Sequence, residues 1–261
     1  MQRIGMMAHP GITTLFDAGE TAGGLFMATE FVEGSSLADH LDAGLTWPIT
    51  ERVSLVAQIA DALECARGQG VPHLHLRPSN VLIDADTTAK IRGFGIAGVQ
   101  DALASQLGTD GGLAEWAAPE RVAGLQGDGR ADVFSLARLA QRILGDAIPP
   151  DRTATVADVF RTALAPDPSD RFESAGALKY ALLLGLGLDE VEVRIAWEST
   201  REAGNVLAAD RGGPGPHSAV GGDLTAMMLE TPTHLAPGSS DDVETMMEGP
   251  AADDPDLTKP A

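Results

Sequence analysis

The sequence is poor in two residue classes, and each shortage excludes a class of structure. Its single cysteine, Cys65, excludes an internal disulfide and every metal site built from several cysteines. Aromatic residues make up only 4% of the 261 residues, so the core must consist mainly of alanine, leucine, valine and isoleucine. Hydrophobic residues still reach 44%, which is enough for one folded domain followed by a tail.

Basic residues are also scarce. Lysine and arginine number 18 against 38 aspartates and glutamates, and the formal net charge is -20. Nucleic acids and anionic membrane surfaces would be repelled by such a charge. The most apolar stretch, 181–188, is too short to cross a bilayer, and the first ten residues lack the apolar run of a signal peptide. We therefore expect a cytoplasmic protein with no membrane span and no nucleic-acid partner.

The negative charge is concentrated toward the C-terminus. Residues 1–188 carry 23 acidic and 14 basic residues, whereas 189–261 carry 15 acidic and 4 basic ones. A segment of the second composition buries too little apolar surface to offset the entropy of ordering it, so we expect disorder from about residue 200 onward. Between 189 and 199, four apolar residues alternate as in a strand: Val191, Val193, Ile195 and Trp197.

The hydrophobic pattern of residues 1–188 predicts strands first and helices later, which is the order of an α+β fold. Strands are expected at Ile12–Phe16, Leu25–Val32, Val81–Asp84 and Ala89–Arg92. Helices are expected after Pro48 as far as Gly68, at Val133–Leu144, at Val156–Leu164, and from a cap at Ser174 to Leu184.

Five short motifs follow one another in the middle of the chain. They are PHLHLRPSNVLI at 72–83, AKIRGFGIAG at 89–98, EWAAPE at 115–120, GRADVFSLA at 129–137 and DPSDRF at 167–172. Their order and spacing resemble those of bacterial serine/threonine protein kinases of the eukaryotic type. The resemblance implies a mostly helical large lobe over 35–188, a two-strand remnant of the small lobe with the hinge within 1–34, and an acidic, largely disordered tail over 189–261.

The same resemblance implies that the catalytic residues are lost. Phosphoryl transfer in this family needs a glycine-rich loop and a strand lysine, for which eight residues before His9 leave no room. His75 stands at the position of the catalytic aspartate, Arg77 at that of the catalytic-loop lysine, and Gly93 at that of the metal-binding aspartate. Asn80 is retained, but a single carboxamide is a poor magnesium site.

Residues that hold the large lobe together are retained. The resemblance implies that Glu120 pairs with Arg171 and that Asp132 accepts hydrogen bonds from the backbone of the catalytic loop. His73 has a structural role in the family, and we expect the same for both His73 and His75.

A nucleotide hinge is the weakest part of the resemblance. Glu30 and Val32 lie in a segment that resembles the hinge, whose backbone binds adenine, and Thr29 corresponds to the gatekeeper beside that pocket. Taken without the later motifs, Leu25–Val32 would be interpreted as an ordinary half-buried strand.

The tail contains two similar pieces, Asp223–Met228 and Asp242–Glu248, each with a threonine shortly before two methionines. One interpretation is that Thr225 and Thr245 are phosphorylated by an active kinase and bound by a phosphothreonine-binding module, such as a forkhead-associated domain. A second is a short helix anchored by methionines in a partner's groove. A third is a solvated tail with accidental similarity.

Three hypotheses for function remain open from the sequence. The first is a catalytically impaired regulator or scaffold in bacterial signalling, a pseudokinase that binds other proteins and needs no cofactor. The second is an ATP-dependent serine/threonine kinase with a missing or mis-assigned N-terminus and a divergent mechanism, which would use ATP and magnesium. The third is a decayed gene fragment.

Overall fold

A computed structural model describes residues 7–21, 24–97, 113–195, 198 and 225–228. Helices form the majority of this part of the chain, together with two small three-stranded sheets. The predicted α+β class is therefore confirmed. No helix within the described ranges is long and apolar enough to cross a membrane.

The first sheet is built on a hairpin of β1 (Leu15–Thr21) and β2 (Gly24–Thr29). Phe26 in β2 lies opposite Gly19 in β1, and its ring packs so closely that a Cβ at Gly19 would come within 2.9 Å of it. The other edge of β2 pairs antiparallel with a strand from the C-terminal tail, Thr225–Met228, which gives the order β1-β2-tail.

The predicted bounds of this hairpin were wrong, since the first strand was expected at Ile12–Phe16 and lies at Leu15–Thr21, and the second was expected at Leu25–Val32 and lies at Gly24–Thr29. The first strand does not begin at Ile12, because the chain there is tied to Ile91 instead: Thr13 donates its backbone N–H to the Ile91 carbonyl at 3.0 Å, and Ile91 donates to Gly11 at 2.8 Å. The second strand ends at Thr29 rather than Val32, after the Glu30 N–H donates to the Thr14 carbonyl at 2.9 Å.

The second sheet has the order β3-β4-β5, with β3 at Gly34–Ser36, β4 at Val81–Asp84 and β5 at Ala89–Ile91. The β4-β5 hairpin was predicted, and β3 was not. Gly34 lets β3 approach β4 closely, since a Cβ at this position would lie 2.0 Å from the Ile83 carbonyl oxygen. Helix α1 (Leu37–Asp42) follows at once, capped by Ser36 and Asp39 in a reciprocal capping box.

The core of the large lobe is formed by four longer helices: α2 (Ile49–Gly68), α5 (Gly129–Leu144), α6 (Thr153–Ala163) and α7 (Ala175–Leu186). Two short helices precede α5, namely α3 (Leu113–Trp116) and α4 (Pro119–Val122). Helix α5 is central and packs against α2, α6 and α7. All four longer helices lie where the apolar periodicity predicted them, to within a few residues at each end.

The start of α7 is capped by Ser174, whose hydroxyl accepts the Ala177 N–H at 3.2 Å. The helix ends at Gly187, whose φ of 70° is a left-handed conformation that glycine adopts without strain. The cap was predicted, and the helix extends two residues beyond the predicted end.

The strand-like alternation after residue 189 was a misleading pattern, since residues 190–195 are helical. Asp189 starts this turn by accepting the Val191 N–H at 2.7 Å, and its carbonyl accepts the Val193 N–H at 3.0 Å. Val193 is buried, whereas Val191 and Ile195 are about half exposed. Among the three described members of the alternation, only Val193 therefore contributes to the core, and Trp197 lies outside the described residues.

Four tail residues also depart from expectation. Thr225–Met228, called the tail strand below, lie within the stretch expected to be disordered, yet they form a strand on β2. Backbone hydrogen bonds to a strand edge stabilise a short extended segment whatever its own composition. The remaining tail after residue 198 lies outside the described residues.

Candidate functional site

The loop over residues 73–80 is held from below by Asp132 at the start of α5. The Asp132 carboxylate accepts the backbone N–H groups of His73 and Leu74, each at 2.7 Å. Leu74 has a φ of 64°, a conformation that usually costs a residue with a side chain roughly 1–3 kcal/mol. Burial raises the pKa of Asp132 to about 7, although the two backbone N–H groups act in the opposite direction.

His73 lies beneath this loop with no exposed surface. Its Nδ1 accepts the His75 N–H at 3.2 Å, so Nε2 carries the ring proton and donates it to the Arg92 carbonyl at 3.0 Å. The Phe94 ring meets it edge-on at 4.7 Å between centroids. Burial lowers the pKa of His73 to about 4. The ring is therefore neutral at physiological pH and supports the loop through its hydrogen bonds.

His75 and Asn80 are joined within the same loop. The Asn80 side-chain amide donates to the His75 carbonyl at 2.8 Å, and the Asn80 carbonyl accepts the Arg92 N–H at 2.9 Å. Both residues are buried, with exposures of 8% for His75 and 6% for Asn80. Asn80 thus acts as a brace between the loop and the end of β5, and only its amide oxygen is left to offer a cation.

Gly93 stands where the resemblance places the metal-binding aspartate, and it contributes no side chain there. Its φ is 90°, which residues with a Cβ rarely adopt, and a Cβ built there would meet Ile96 Cδ1 at 3.3 Å. The backbone here suits glycine as it stands, so an aspartate in its place would be strained.

Arg92 was not singled out from the sequence, where it looks like any arginine at the end of a strand. Its Nη2 donates to the Ser79 carbonyl at 3.0 Å, and its Nε is buried with no hydrogen-bond partner among the described residues. Burial lowers the pKa of Arg92, and the charge of Arg77 lowers it further. Two arginines, Arg77 and Arg92, therefore lie along this loop beside the positions His75 and Gly93, where the resemblance leads one to look for carboxylates.

These residues do not fit a magnesium–nucleotide complex. Magnesium favours carboxylates and phosphates, whereas the donors here are an imidazole, one amide oxygen and a glycine with no side chain. Within the described ranges, no group of three or more His, Cys, Asp or Glu side chains is placed to hold a metal ion.

The segment that resembles a hinge is joined to β5 by an ion pair that the sequence did not suggest. Lys90 in β5 donates to Glu30 Oε1 at 2.8 Å, with both side chains about one quarter exposed. Thr29 is the last residue of β2, and Thr29 and Val32 are half-buried. The ion pair sets the hinge against β5, next to the loop described above.

Glu120 and Arg171 lie in contact away from this loop, at the base of the lobe. Arg171 Nη1 and Nη2 donate to the two Glu120 carboxylate oxygens at 2.7 and 2.8 Å. The remaining Arg171 donors reach the carbonyls of Ala165, Arg130 and Pro166 at 2.8–3.1 Å. Burial acts to raise the pKa of Glu120, but hydrogen bonds from Arg171 and from the Glu120 backbone, together with the charges of Arg171 and Arg121, lower the pKa overall.

Of the two tail threonines, only Thr225 belongs to the described residues. It is the first residue of the tail strand and lies opposite Thr29 in the strand register. Thr245 lies outside the described residues.

Comparisons with known proteins agree with this architecture. A family model of the protein kinase domain matches residues 1–177. Serine/threonine-protein kinase Pkn1 of Myxococcus xanthus is 29% identical over 232 residues, which cover 77% of this chain and 33% of that protein. Serine/threonine-protein kinase PknD of Mycobacterium tuberculosis is 30% identical over 279 residues, covering 96% of this chain and 41% of that protein.

A solved structure shares the fold. The crystal structure of the Mycobacterium tuberculosis PknI kinase domain superposes with a TM-score of 0.57 and 27% sequence identity, covering 70% of this chain and 75% of that chain. The predicted kinase-like fold is confirmed by this likeness. The chain spans only about a third to two fifths of the curated relatives it matches.

Proposed function

The chain belongs to the protein kinase domain family, and from that premise we propose that it is a catalytically impaired regulator or scaffold in bacterial signalling. The observation that carries the proposal is the pair His75 and Gly93, which stand where the family's two functional carboxylates are expected. Removing both carboxylates takes away the groups that orient the acceptor hydroxyl and neutralise phosphate charge through magnesium.

The geometry around these positions supports the proposal. Asn80 can offer a cation only its amide oxygen, because its amide nitrogen donates to the His75 carbonyl, and the φ of Gly93 disfavours any side chain. Arg77 and Arg92, which lie along the loop, are cations and offer magnesium no ligand. By contrast, the ion pair of Glu120 with Arg171 and the contacts of Asp132 maintain the large lobe without taking part in phosphoryl transfer.

A regulator of this kind acts by binding other proteins, and we propose that it does so in the cytoplasm. The tail threonines Thr225 and Thr245 would be phosphorylated by an active kinase and then captured by a phosphothreonine-binding module. Tandem mass spectrometry of the native protein would reveal phosphate at either site. Pull-downs with phosphorylated and plain tail peptides would then compare the proteins that each retains.

A radiolabel assay tests the loss of catalysis. The full chain is incubated with labelled ATP and either magnesium or manganese, using generic acceptors and the chain itself. We expect no transfer above a boiled control. Transfer that disappears in Asn80→Ala would contradict the proposal.

The alternative is an ATP-dependent serine/threonine kinase with a divergent mechanism. The hinge-like segment around Glu30 favours this alternative. The gene sequence upstream of Met1 separates the two. A glycine-rich loop and lysine strand in frame would favour nucleotide binding, although His75 and Gly93 would remain unsuited to catalysis.

A further inference from the structure

The two edges of β2 are paired with segments that are far apart in sequence. One edge pairs with β1, its immediate neighbour, and the other with the tail strand. The cross-strand partners on the second edge are Phe26 with Met228, Met27 with Met227, Ala28 with Ala226, and Thr29 with Thr225. All four residues of the tail strand therefore have a partner in β2.

The β1-β2 hairpin gains from this third strand. A two-stranded hairpin is marginally stable in water, and an unpaired strand edge presents backbone N–H and C=O groups that attract another extended segment. The tail strand pairs with β2 alone and is itself the outer strand of the sheet. With only four residues paired on one side, it is placed to detach without disturbing the helical core.

We propose that this edge of β2 is a strand-acceptor site for Thr225–Met228 of the same chain, and that phosphorylation of Thr225 releases the tail strand. The first part stands on the strand register. The second part rests on the proposed function, in which another kinase phosphorylates the tail.

The position of Thr225 explains why phosphate would release the strand. Thr225 pairs with Thr29, and the residue after Thr29 is Glu30. Among the described residues, the only cation paired with the Glu30 carboxylate is Lys90, with Nζ 2.8 Å from Oε1. The charge of Lys90 is therefore already neutralised by Glu30. A phosphate on Thr225 would add about -1.5 to -2 charge to a tail segment that already carries Asp223 two residues earlier in the sequence. Because Thr225 pairs with Thr29, one residue before Glu30, the added negative charge would favour release of the tail strand.

Release of the tail strand would change the order of the hinge segment. β2 leads directly into Glu30 and Val32, and the tail strand begins opposite the last residue of β2. Losing the third strand would loosen the hairpin and the segment that joins it to the large lobe. The state of the tail would thus set the order of the hinge, and a freed Thr225 would become available to a partner.

Hydrogen exchange of the full-length chain tests the docking. The double variant Ala226→Pro/Met227→Pro must remove one N–H that faces β2, because neighbouring N–H groups in a strand point to opposite sides. Met246→Pro is the matched control, since it lies in the second, similar tail piece. We expect amides of β2 that face the tail strand to exchange at least about tenfold faster in the double variant, with no change in the control.

The release is tested by installing phosphothreonine at position 225 through genetic encoding, with phosphothreonine at 245 as the control. Exchange in β2 should accelerate in the first protein and not in the second. Unchanged exchange in the double proline variant would overturn the docking, and unchanged exchange with phosphate at 225 would overturn the release. Protection that rises with protein concentration would also overturn the proposal, because the strand would then come from a second copy.

These outcomes are separable from the proposed function. Phosphate transfer by the chain itself, or native protein without tail phosphate, would count against the proposed function. Neither result would alter the exchange measured on protein that carries an installed phosphate.

Discussion

Arg171 and Glu120 form a two-pronged ion pair, with Nη1–Oε1 at 2.7 Å and Nη2–Oε2 at 2.8 Å. The Arg171 side chain is fully buried, and that of Glu120 is 12% exposed. The Arg171 guanidinium also lies over the Phe134 ring, 5.0 Å from the ring centroid, and this contact fixes it further. The pair links α4 to the turn before α7, two segments separated by 51 residues.

Removing Glu120 should therefore destabilise the fold strongly. Glu120→Ala leaves a buried guanidinium without its carboxylate, and such a loss costs roughly 3–5 kcal/mol of unfolding free energy. Urea denaturation followed by circular dichroism measures the change. Glu115→Ala, at an exposed carboxylate nearby, is the control and should stay within about 0.5 kcal/mol of the parent. Similar midpoints for both variants would mean that the ion pair contributes little.

His73 should make stability depend on pH in acid. Its pKa is about 4 in the folded chain against the ordinary 6.5. Below pH 6.5, His73 binds a proton in the unfolded chain but not in the folded chain, so the free energy of unfolding falls as the pH falls from about 6.5 to about 4. The full loss is about 3 kcal/mol.

The measurement compares the parent with His73→Gln at pH 7 and at pH 4.5. The variant should be less stable than the parent at pH 7, and this gap should narrow by roughly 2 kcal/mol at pH 4.5. Asp132 acts in the opposite sense in both proteins, since its raised pKa of about 7 costs stability as the pH rises from 3.8 to 7. The comparison between the two proteins cancels that contribution. A gap that stays constant would show that His73 titrates normally.

Two glycines should respond in opposite ways to alanine. Gly34→Ala places a Cβ 2.0 Å from the Ile83 carbonyl oxygen, which forces β3 away from β4 and should cost about 3 kcal/mol or more. Gly68 ends α2 with nothing within 4 Å of an added Cβ, so Gly68→Ala should leave stability unchanged or raise it by up to about 1 kcal/mol. Thermal melts of both variants measure the contrast. Equal melting temperatures would mean that β3 does not lie against β4 as described.

The sequence predicted the parts of the fold that depend on local pattern. Helix α2 follows from apolar residues at helical spacing such as Val56, Ile59 and Leu63, all of which are buried. The cap at Ser174 was predictable because a serine before an apolar run satisfies the first free N–H groups of a helix. The motifs around Pro119 and Asp132 indicated the family because they occur in a fixed order.

The parts that could not be predicted depend on distant contacts. Nothing in the local sequence distinguishes Thr225–Met228 from the similar piece around Thr245. Pairing with β2, some 200 residues earlier in the chain, makes a strand of Thr225–Met228. Likewise, Arg52 gave no signal in the sequence, yet it is buried and donates to the carbonyls of Trp47 and Ile143 at 2.8 and 3.1 Å. Residues 190–195 misled because a short alternation of apolar residues, here Val191, Val193 and Ile195, fits a strand and a helical turn equally well.

Magnesium should not improve nucleotide binding. The segment around Glu30 resembles a kinase hinge, whose backbone would hold adenine weakly, but the phosphates would meet no magnesium carboxylate at His75 or Gly93. Ligand binding raises the melting temperature in proportion to the logarithm of ligand concentration over Kd. We expect millimolar ATP to shift the melting temperature by less than about 1 °C, with no further shift when magnesium is added. Adenosine is the control for a contribution from the base alone. A shift of several degrees that requires both ATP and magnesium would reveal a metal–nucleotide site and would revive the kinase alternative.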